Sequence, residues 1–260
     1  MRQKHGQNFL FDKNIAKKIV QAADLDINDE VLEIGPGKGI LTEIMAPLVK
    51  NITAVEIDKN LCQNLKASLP LHNIHNVNII NADFIHFDFQ PKNPYKIVSN
   101  LPYNAATAII QKVLPNNLWT TSVFMLQKEV SLRISSGLNL KTYGYLSLFC
   151  SYYANIFSLF DVSPNCFHPK PKVNSGVIKL INKKNPPPDE NLFTLIKFCF
   201  SMRRKTILNS LTAFTGVNKM KMSNFLNYHQ FNPQLRPASL SLVDYLALTN
   251  AIQNIYNQQN

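Results

Sequence analysis

Four consecutive residues, Asn100, Leu101, Pro102 and Tyr103, end a run of β-formers, Ile97 to Ser99, with an amide, a proline and an aromatic ring. The side-chain carbonyl of Asn100 can accept a hydrogen bond from an exocyclic amino group. Pro102 has a fixed φ and no N–H, so it stiffens the turn and lets nearby backbone carbonyls point into the same space. Tyr103 offers a flat face on which a base can stack. A planar amino group held by its hydrogens has its lone pair less committed to the ring and available for in-line attack on an electrophilic methyl. No strong general base is required, since the proton can leave once the nitrogen is cationic. Positioning and electrostatics carry such chemistry.

A second set of residues describes the other reactant. The stretch VLEIGPGKGILT, residues 31–42, is a β-run ending at Gly35, with Gly37 and Gly39 allowing a tight turn and close approach to a ligand before a helix near Ile40. The spacing is Glu33-x-Gly-x-Gly-x-Gly, not the dinucleotide G-x-G-x-x-G, whose last position is here Ile40. Glu56 ends the next β-run, where a carboxylate can accept both hydroxyls of a ribose. Asp83 follows the third, where it can accept from an adenine amino group. Either acid alone reads as an ordinary solvated strand end; two in succession beside a glycine turn make a pocket. Lys38 is the only base in the loop, so the ligand is adenosine-like and lacks a pyrophosphate.

Bringing these groups to one edge requires a sheet. Strands are expected at Val31–Ile34, Ile52–Glu56, Val77–Asn81, Ile97–Asn100 and Ser122–Gln127, and helices at Asp12–Ala23 and Asn60–Leu69. That alternation predicts an α/β domain with a mainly parallel sheet, whose ligands bind at the carboxyl edge. A further strand pair is expected within Tyr145–Phe160 and Val173–Ile181. The prolines of KKNPPPDE, 183–190, read as a linker. Apolar recurrence over Leu192–Phe214 and Ser241–Tyr256 then predicts a small all-helical tail. The expected division is a ligand-binding domain at 1–184, with a basic segment at 1–18, and a helical domain at 185–260.

The net charge is +11, and it is segregated. Residues 1–18 hold five Lys/Arg against one acid and residues 161–260 hold twelve against four, around a middle with ten against eleven. That distribution favours a polyanion held by the flanks, such as nucleic acid. Arg203, Arg204 and Lys205 are expected to open an amphipathic helix and, with Lys170 and Lys172, to contact phosphates. Cys62, Cys150, Cys166 and Cys199 are widely spaced, which suggests neither a disulfide frame nor a metal site. Nothing resembles a signal sequence or a membrane span, so the chain is expected to be cytoplasmic.

The segments HGQNFL, VLEIGPGKGILT, NLPY, MLQKEV, FHPKPKVNS and FSMRRKTILNSL occur in the order found in ribosomal RNA adenine N6,N6-dimethyltransferases. The chain resembles that family along nearly its whole length, and within it the small-subunit branch. The resemblance implies a class I S-adenosylmethionine-dependent methyltransferase with a Rossmann-like sheet, helices on both faces, and a small helical C-terminal domain. It implies that Asn8 and Leu10 close over S-adenosylmethionine, Gly35 (with Gly37 in the same turn) touches its methionine part, Glu56 its ribose and Asp83 its adenine. Asn100 would meet both cofactor and target amino group, and Phe167 would face Tyr103 across a flipped base. The implied substrate is a pair of adjacent adenosines in a hairpin loop near the 3′ end of small-subunit rRNA, on a partly assembled particle. The enzyme is expected to be monomeric and to need no metal.

Two departures concern fit: small residues, Ala105 and Ala106, follow NLPY in place of bulkier ones, and the C-terminal end is sparse. Two alternatives stay open. One is a large-subunit rRNA adenine methyltransferase of the antibiotic-resistance type, where isoleucine typically replaces Leu101. The other is a non-catalytic assembly or transcription factor with the same fold.

Overall fold

The computed structural model describes residues 8–184, 186–187 and 189–257; residues 1–7 of the basic N-terminal segment lie outside them. The chain divides into two compact units, one of residues 1–132 and 153–185, the other of residues 133–152 and 186–260.

The first unit is built on a seven-stranded sheet of order β4-β3-β2-β5-β6-β9-β7. Its strands are β2 (Glu30–Ile34), β3 (Asn51–Glu56), β4 (Val77–Asn81), β5 (Tyr95–Asn100), β6 (Trp119–Gln127), β7 (Ala154–Val162) and β9 (Ser175–Asn182). Strands β2 to β6 pair in parallel, while β9 runs antiparallel to both β6 and β7. A short ladder joins β1 (Phe9–Leu10) to β8 (Phe167–His168).

Side chains alternate across each strand, and both faces of the central strands β2, β3, β5 and β6 are covered. On one face Val31, Ile52, Ala54, Ile79, Val98 and Val123 join a core with Ala16 and Ile19 of α1 (Lys13–Ala22), Leu41 and Met45 of α2 (Ile40–Met45), and Cys62 and Leu65 of α3 (Lys59–Ser68). The residues between them, Leu32, Ile34, Val55, Ile97 and Phe124, are buried on the other face. A sheet buried on both sides reads as near-continuous apolar runs, which is why these strands stand out in the sequence. Helices α1 and α3 begin with Asp12 and Asp58, whose carboxylates accept from the first free backbone N–H groups.

Two segments depart from expectation. Tyr145–Tyr153 is a helix, α6, with the strand starting only at Ala154; an apolar run such as YLSLFCSYY does not distinguish a buried helix from a buried strand. The apolar stretch Leu192–Phe214 is two helices, α7 (Glu190–Ser201) and α8 (Ile207–Thr215). They are separated where Thr206 caps α8 by accepting from Asn209 N–H.

The second unit comprises α6, α7, α8, α9 (Lys219–Tyr228) and α10 (Leu242–Asn257). Its core gathers Tyr143, Leu148, Leu195, Ile196, Leu211, Leu226, Tyr245 and Leu248. Residues 133–152, which the sequence pattern leaves with the sheet, thus cluster with the helices.

Candidate active site

The strand order reverses between β2 and β5, the switch point where open α/β sheets bind ligands. Their ladder runs from Glu30 opposite Tyr95 to Leu32 opposite Ile97. Beyond it, the buried Ser99 hydroxyl accepts from Ile34 N–H at 2.8 Å, taking the place of a ladder bond. Above this point lies a cavity of about 240 Å³ lined by residues from the ends of β1 to β5. Asn8, Leu10, Gly35, Gly37, Glu56, Asp83, Asn100, Leu101, Pro102 and Tyr103 all line it.

The glycine turn meets the requirement read from its spacing. Gly35, Gly37 and Gly39 have φ of +69°, +59° and +84°, which other residues adopt only with strain. A Cβ on Gly37 would stand 3.1 Å from the Phe9 ring, and one on Gly39 2.5 Å from Leu65. The Lys38 ammonium lies 5.1 Å from the centre of the Phe9 ring, so the strand leading into α1 is held against the turn.

Glu56 is 2% exposed, yet neither carboxylate oxygen is idle. Oε2 accepts from Gly37 N–H at 3.1 Å and Oε1 from Asp58 N–H at 3.0 Å. Each oxygen retains an acceptor site, which suits a vicinal pair of hydroxyls. Asn81 fixes the turn behind it by donating to the carbonyls of Glu56 and Ile57 at 2.9 and 3.1 Å. Asp83 Oδ1 accepts from Ile85 N–H at 2.9 Å, while Oδ2 is 4.0 Å from His86 Nε2. Glu33 is 1% exposed and also lines the cavity. Burial pushes its carboxyl up to about 8, opposed by Thr42 Oγ1, which donates to it at 2.6 Å, and assisted by the nearby Glu56 charge.

Asn100 closes β5 opposite Met125; its side-chain amide has no hydrogen-bond partner among the described residues. Leu101 N–H donates to Met125 O at 3.1 Å and Ala105 N–H to Pro102 O at 3.0 Å. The turn after Asn100 is therefore closed by backbone bonds, and the small side chains at 105 and 106 do not open it. The Tyr103 hydroxyl shares a 2.7 Å hydrogen bond with Ser175. Burial raises this phenol above its ordinary value, with the Ser175 bond opposing. Losing that pin, worth about 1 kcal/mol, should slow turnover roughly fivefold in Ser175→Ala with the cofactor KM unchanged. Steady-state kinetics of Ser175→Ala, Tyr103→Phe and the double variant check this, the double being no slower than either single.

Phe167 requires correction. It is 3% exposed and pairs across the β1–β8 ladder with Leu10, packed in the core with Val98, Met125, Val162 and Val177. It is not among the cavity-lining residues, and its burial overturns the expectation of an exposed turn. Lys170 and Lys172 are exposed on the loop after β8. Within the second unit the Arg203–Lys205 triplet lies in the turn between α7 and α8 and does not open a helix. Arg203 donates to the carbonyls of Tyr143 and Leu140 and covers the Phe200 ring; Arg204 and Lys205 are exposed.

Ser99, Ser175, Asn81 and Thr42 had not been singled out as functional. Only Ser175 carries a signal, as the last residue of FHPKPKVNS. Ser99 and Asn81 act through backbone groups, and Thr42 through the Glu33 carboxyl, none of which composition reports. Among the described residues no three His, Cys, Asp or Glu converge on a possible metal position, and no helix is long and apolar enough to cross a membrane.

Comparison with known proteins bears on the same architecture. The family model for ribosomal RNA adenine dimethylase matches residues 1–253. Ribosomal RNA small subunit methyltransferase A of Malacoplasma penetrans is 41% identical over 251 residues, spanning 95% of this chain and 90% of that protein. Its namesake from Mycoplasmopsis pulmonis is 37% identical over 250 residues, spanning 95% and 97%. A dimethyladenosine transferase from Plasmodium falciparum superposes with a TM-score of 0.84 at 25% identity, covering 95% of this chain and 98% of that one. The 23S rRNA methyltransferase ErmE shares the fold, with a TM-score of 0.73 at 24% identity over 95% of this chain and 100% of its own. A glycine turn followed by carboxylates at successive strand ends, an Asn-Leu-Pro-Tyr turn at the switch point and a match spanning nearly the whole chain lead to one conclusion: this chain belongs to the ribosomal RNA adenine dimethylase family.

Proposed function

We propose that this enzyme transfers methyl groups from S-adenosylmethionine to the N6 amino groups of two adjacent adenosines in the hairpin loop near the 3′ end of small-subunit rRNA, during maturation of that subunit. Activity as an S-adenosylmethionine-dependent rRNA adenine dimethyltransferase follows from family membership. The observation that carries the site is the Asn100 amide, without a partner among the described residues, in a cavity where the Glu56 and Asp83 carboxylates are already oriented by backbone N–H groups.

The cavity suits the cofactor: two oriented acceptors for a ribose at Glu56, one free carboxylate oxygen at Asp83 for an adenine amino group, and a backbone at Gly35 and Gly37 that approaches closely. When bound, S-adenosylmethionine supplies an electrophilic methyl on a positively charged sulfur. Asn100 accepts from the target amino group and orients its lone pair; Leu101 and Pro102 hold the turn through Met125 and Ala105. Tyr103 provides the stacking face, with its hydroxyl pinned by Ser175. Stacking returns roughly 1 to 3 kcal/mol per base, comparable with the few kcal/mol needed to extrude one. A loop is therefore a suitable substrate where a duplex is not. Among the lysines and arginines assigned to RNA, Lys170, Lys172, Arg204 and Lys205 are exposed. Arg203 serves the fold of the helical unit.

Neutralising Arg204 and Lys205 to glutamine should lower the salt slope of RNA binding by roughly 1.4 to 1.8 and leave cofactor affinity intact. Arg203→Gln should lower thermal stability without changing the slope. Filter binding across a salt series, with thermal melts, separates these outcomes.

The function is tested by incubating immature small subunits and large subunits with labelled cofactor and mapping the product by mass spectrometry. Dimethyladenosine in a 3′-terminal fragment of small-subunit rRNA is expected. Label confined to large-subunit rRNA would overturn the substrate, and failure to bind S-adenosylmethionine in calorimetry would overturn the enzymatic reading. Sedimentation of the enzyme as a single chain is expected.

A further inference from the structure

Lys112 is absent from every role assigned above, yet it is the most heavily engaged lysine among the described residues. It lies in the last turn of α4 (Ala106–Val113), the helix that follows the Asn100–Tyr103 turn. Its ammonium donates to the carbonyls of Phe84, Ile85 and Phe87 at 2.7, 2.8 and 2.6 Å. The same nitrogen lies 5.2 Å from the centre of the Phe84 ring. All three donors of the ammonium are used, and all go to one loop. Asp83, Phe84 and Ile85 of that loop line the cavity.

The first of these bonds has a specific geometry. The carbonyl of Phe84 and the N–H of Ile85 belong to one peptide unit. Its oxygen accepts from Lys112 at 2.7 Å and its N–H donates to Asp83 Oδ1 at 2.9 Å. A cation on the oxygen side polarises the peptide and strengthens the N–H as a donor to the carboxylate. Asp83 is thereby committed through Oδ1, leaving Oδ2 to face a ligand. The backbone N–H groups of His86 and Phe87 both donate to Asp83 O, at 3.0 and 2.9 Å, which closes the turn that Lys112 holds from the other side.

We propose that Lys112 is a positioning residue for purine recognition: through the Phe84–Ile85 peptide it presets the Asp83 carboxylate to accept from an exocyclic amino group. It thereby sets the preference of the pocket for an amino-purine over a keto-purine cofactor. The inference rests on the reading of the cavity as the cofactor site and deepens it. Because α4 also carries the turn that receives the target base, one helix sets both purine-binding elements.

The test compares S-adenosylhomocysteine with its inosine counterpart, whose purine carries a keto oxygen in place of the amino group. Calorimetry on the wild-type chain should show the adenosine form bound more tightly by a wide margin. In Lys112→Met, affinity for the adenosine form should fall about tenfold and the inosine form should change little, so discrimination narrows. At saturating S-adenosylmethionine kcat should stay within about twofold while the cofactor KM rises. Lys112→Arg keeps the charge but carries it on a planar fork that cannot converge on three carbonyls, and should be intermediate. It serves as the readout if the methionine variant does not fold. Equal weakening of both ligands in either variant, or undiminished discrimination, would overturn the positioning role while leaving the cofactor site standing. Failure of the wild-type chain to bind either ligand would overturn the reading of the cavity itself.

Discussion

Asn100→Ala is expected to slow methyl transfer by about 10²-fold or more, the scale seen when one preorganised polar group is removed from a transition state. Three properties should survive the change. Cofactor affinity is assigned mainly to Glu56, Asp83 and the glycine turn in the proposed reading, and their hydrogen bonds do not involve the Asn100 side chain. RNA affinity, on the proposed reading, rests on exposed cations distant in sequence. Fold stability should hold as well, because the amide has no partner among the described residues to lose, and Leu101 and Ala105 close the turn through the backbone. Single-turnover kinetics with bound cofactor isolates the chemical step. Near-normal turnover would remove Asn100 from the mechanism. Asn100→Asp separates acceptor from donor: its carboxylate accepts at both oxygens, so partial retention points to acceptance as the essential function.

The second large effect is on stability. The Glu33 carboxyl is fully enclosed and shifted from 4.5 to about 8. An acid whose folded-state value lies above its unfolded one binds its proton more tightly when folded, so stability falls as pH rises from about 4.5 towards 8. At the top of that window the penalty reaches a few kcal/mol, by the relation of about 1.4 kcal/mol per pH unit. Glu33→Gln removes the ionisation and keeps an acceptor for Thr42, whose hydroxyl donates to Glu33 at 2.6 Å. Melting temperatures measured from pH 5 to pH 8 should decline in the wild-type chain and flatten in the variant, which melts higher at pH 8. Parallel pH profiles would show that Glu33 is ionised in the fold. A neutral Glu33 also spares the cavity a third carboxylate charge beside Glu56 and Asp83.

The parts of this site that were readable in advance share one property: their residue types are forced by local geometry. Gly35 and Gly37 have positive φ, a demand that side-chain sterics print directly into sequence. Glu56, Asp83 and Asn100 stand at or just beyond the ends of successive strands, of which β3 and β5 are buried on both faces and therefore easy to delimit. What was not readable depends on partners far along the chain. Phe167 is flanked by His168 and prolines, which suggest an exposed turn, but its place is decided by a two-residue ladder with Phe9 and Leu10. Arg203 looks like any member of a basic triplet until its carbonyl acceptors at 140 and 143 are known. Helix α6 was hidden because packing among Tyr143, Leu148 and Leu195, and not periodicity, determines its state. Lys112, in a helix rich in apolar residues, looks like a snorkelling cation; three acceptors separated from it by 25 to 28 positions give it another task.

Ser99 places a single hydroxyl in the buried interior of β5, opposite Phe124 of β6. Two parallel strands tend to zip until something stops them, and here the stop is an acceptor that satisfies Ile34 N–H from the side. The base of the cavity thus lies where strand pairing ends, one residue below Asn100. The small residues that follow sit close against it: Ala105 lines the cavity, and Ala106, at the start of α4, is buried. The sheet therefore sets the base of the cavity, while the glycine turn and the residues after Asn100 supply its walls.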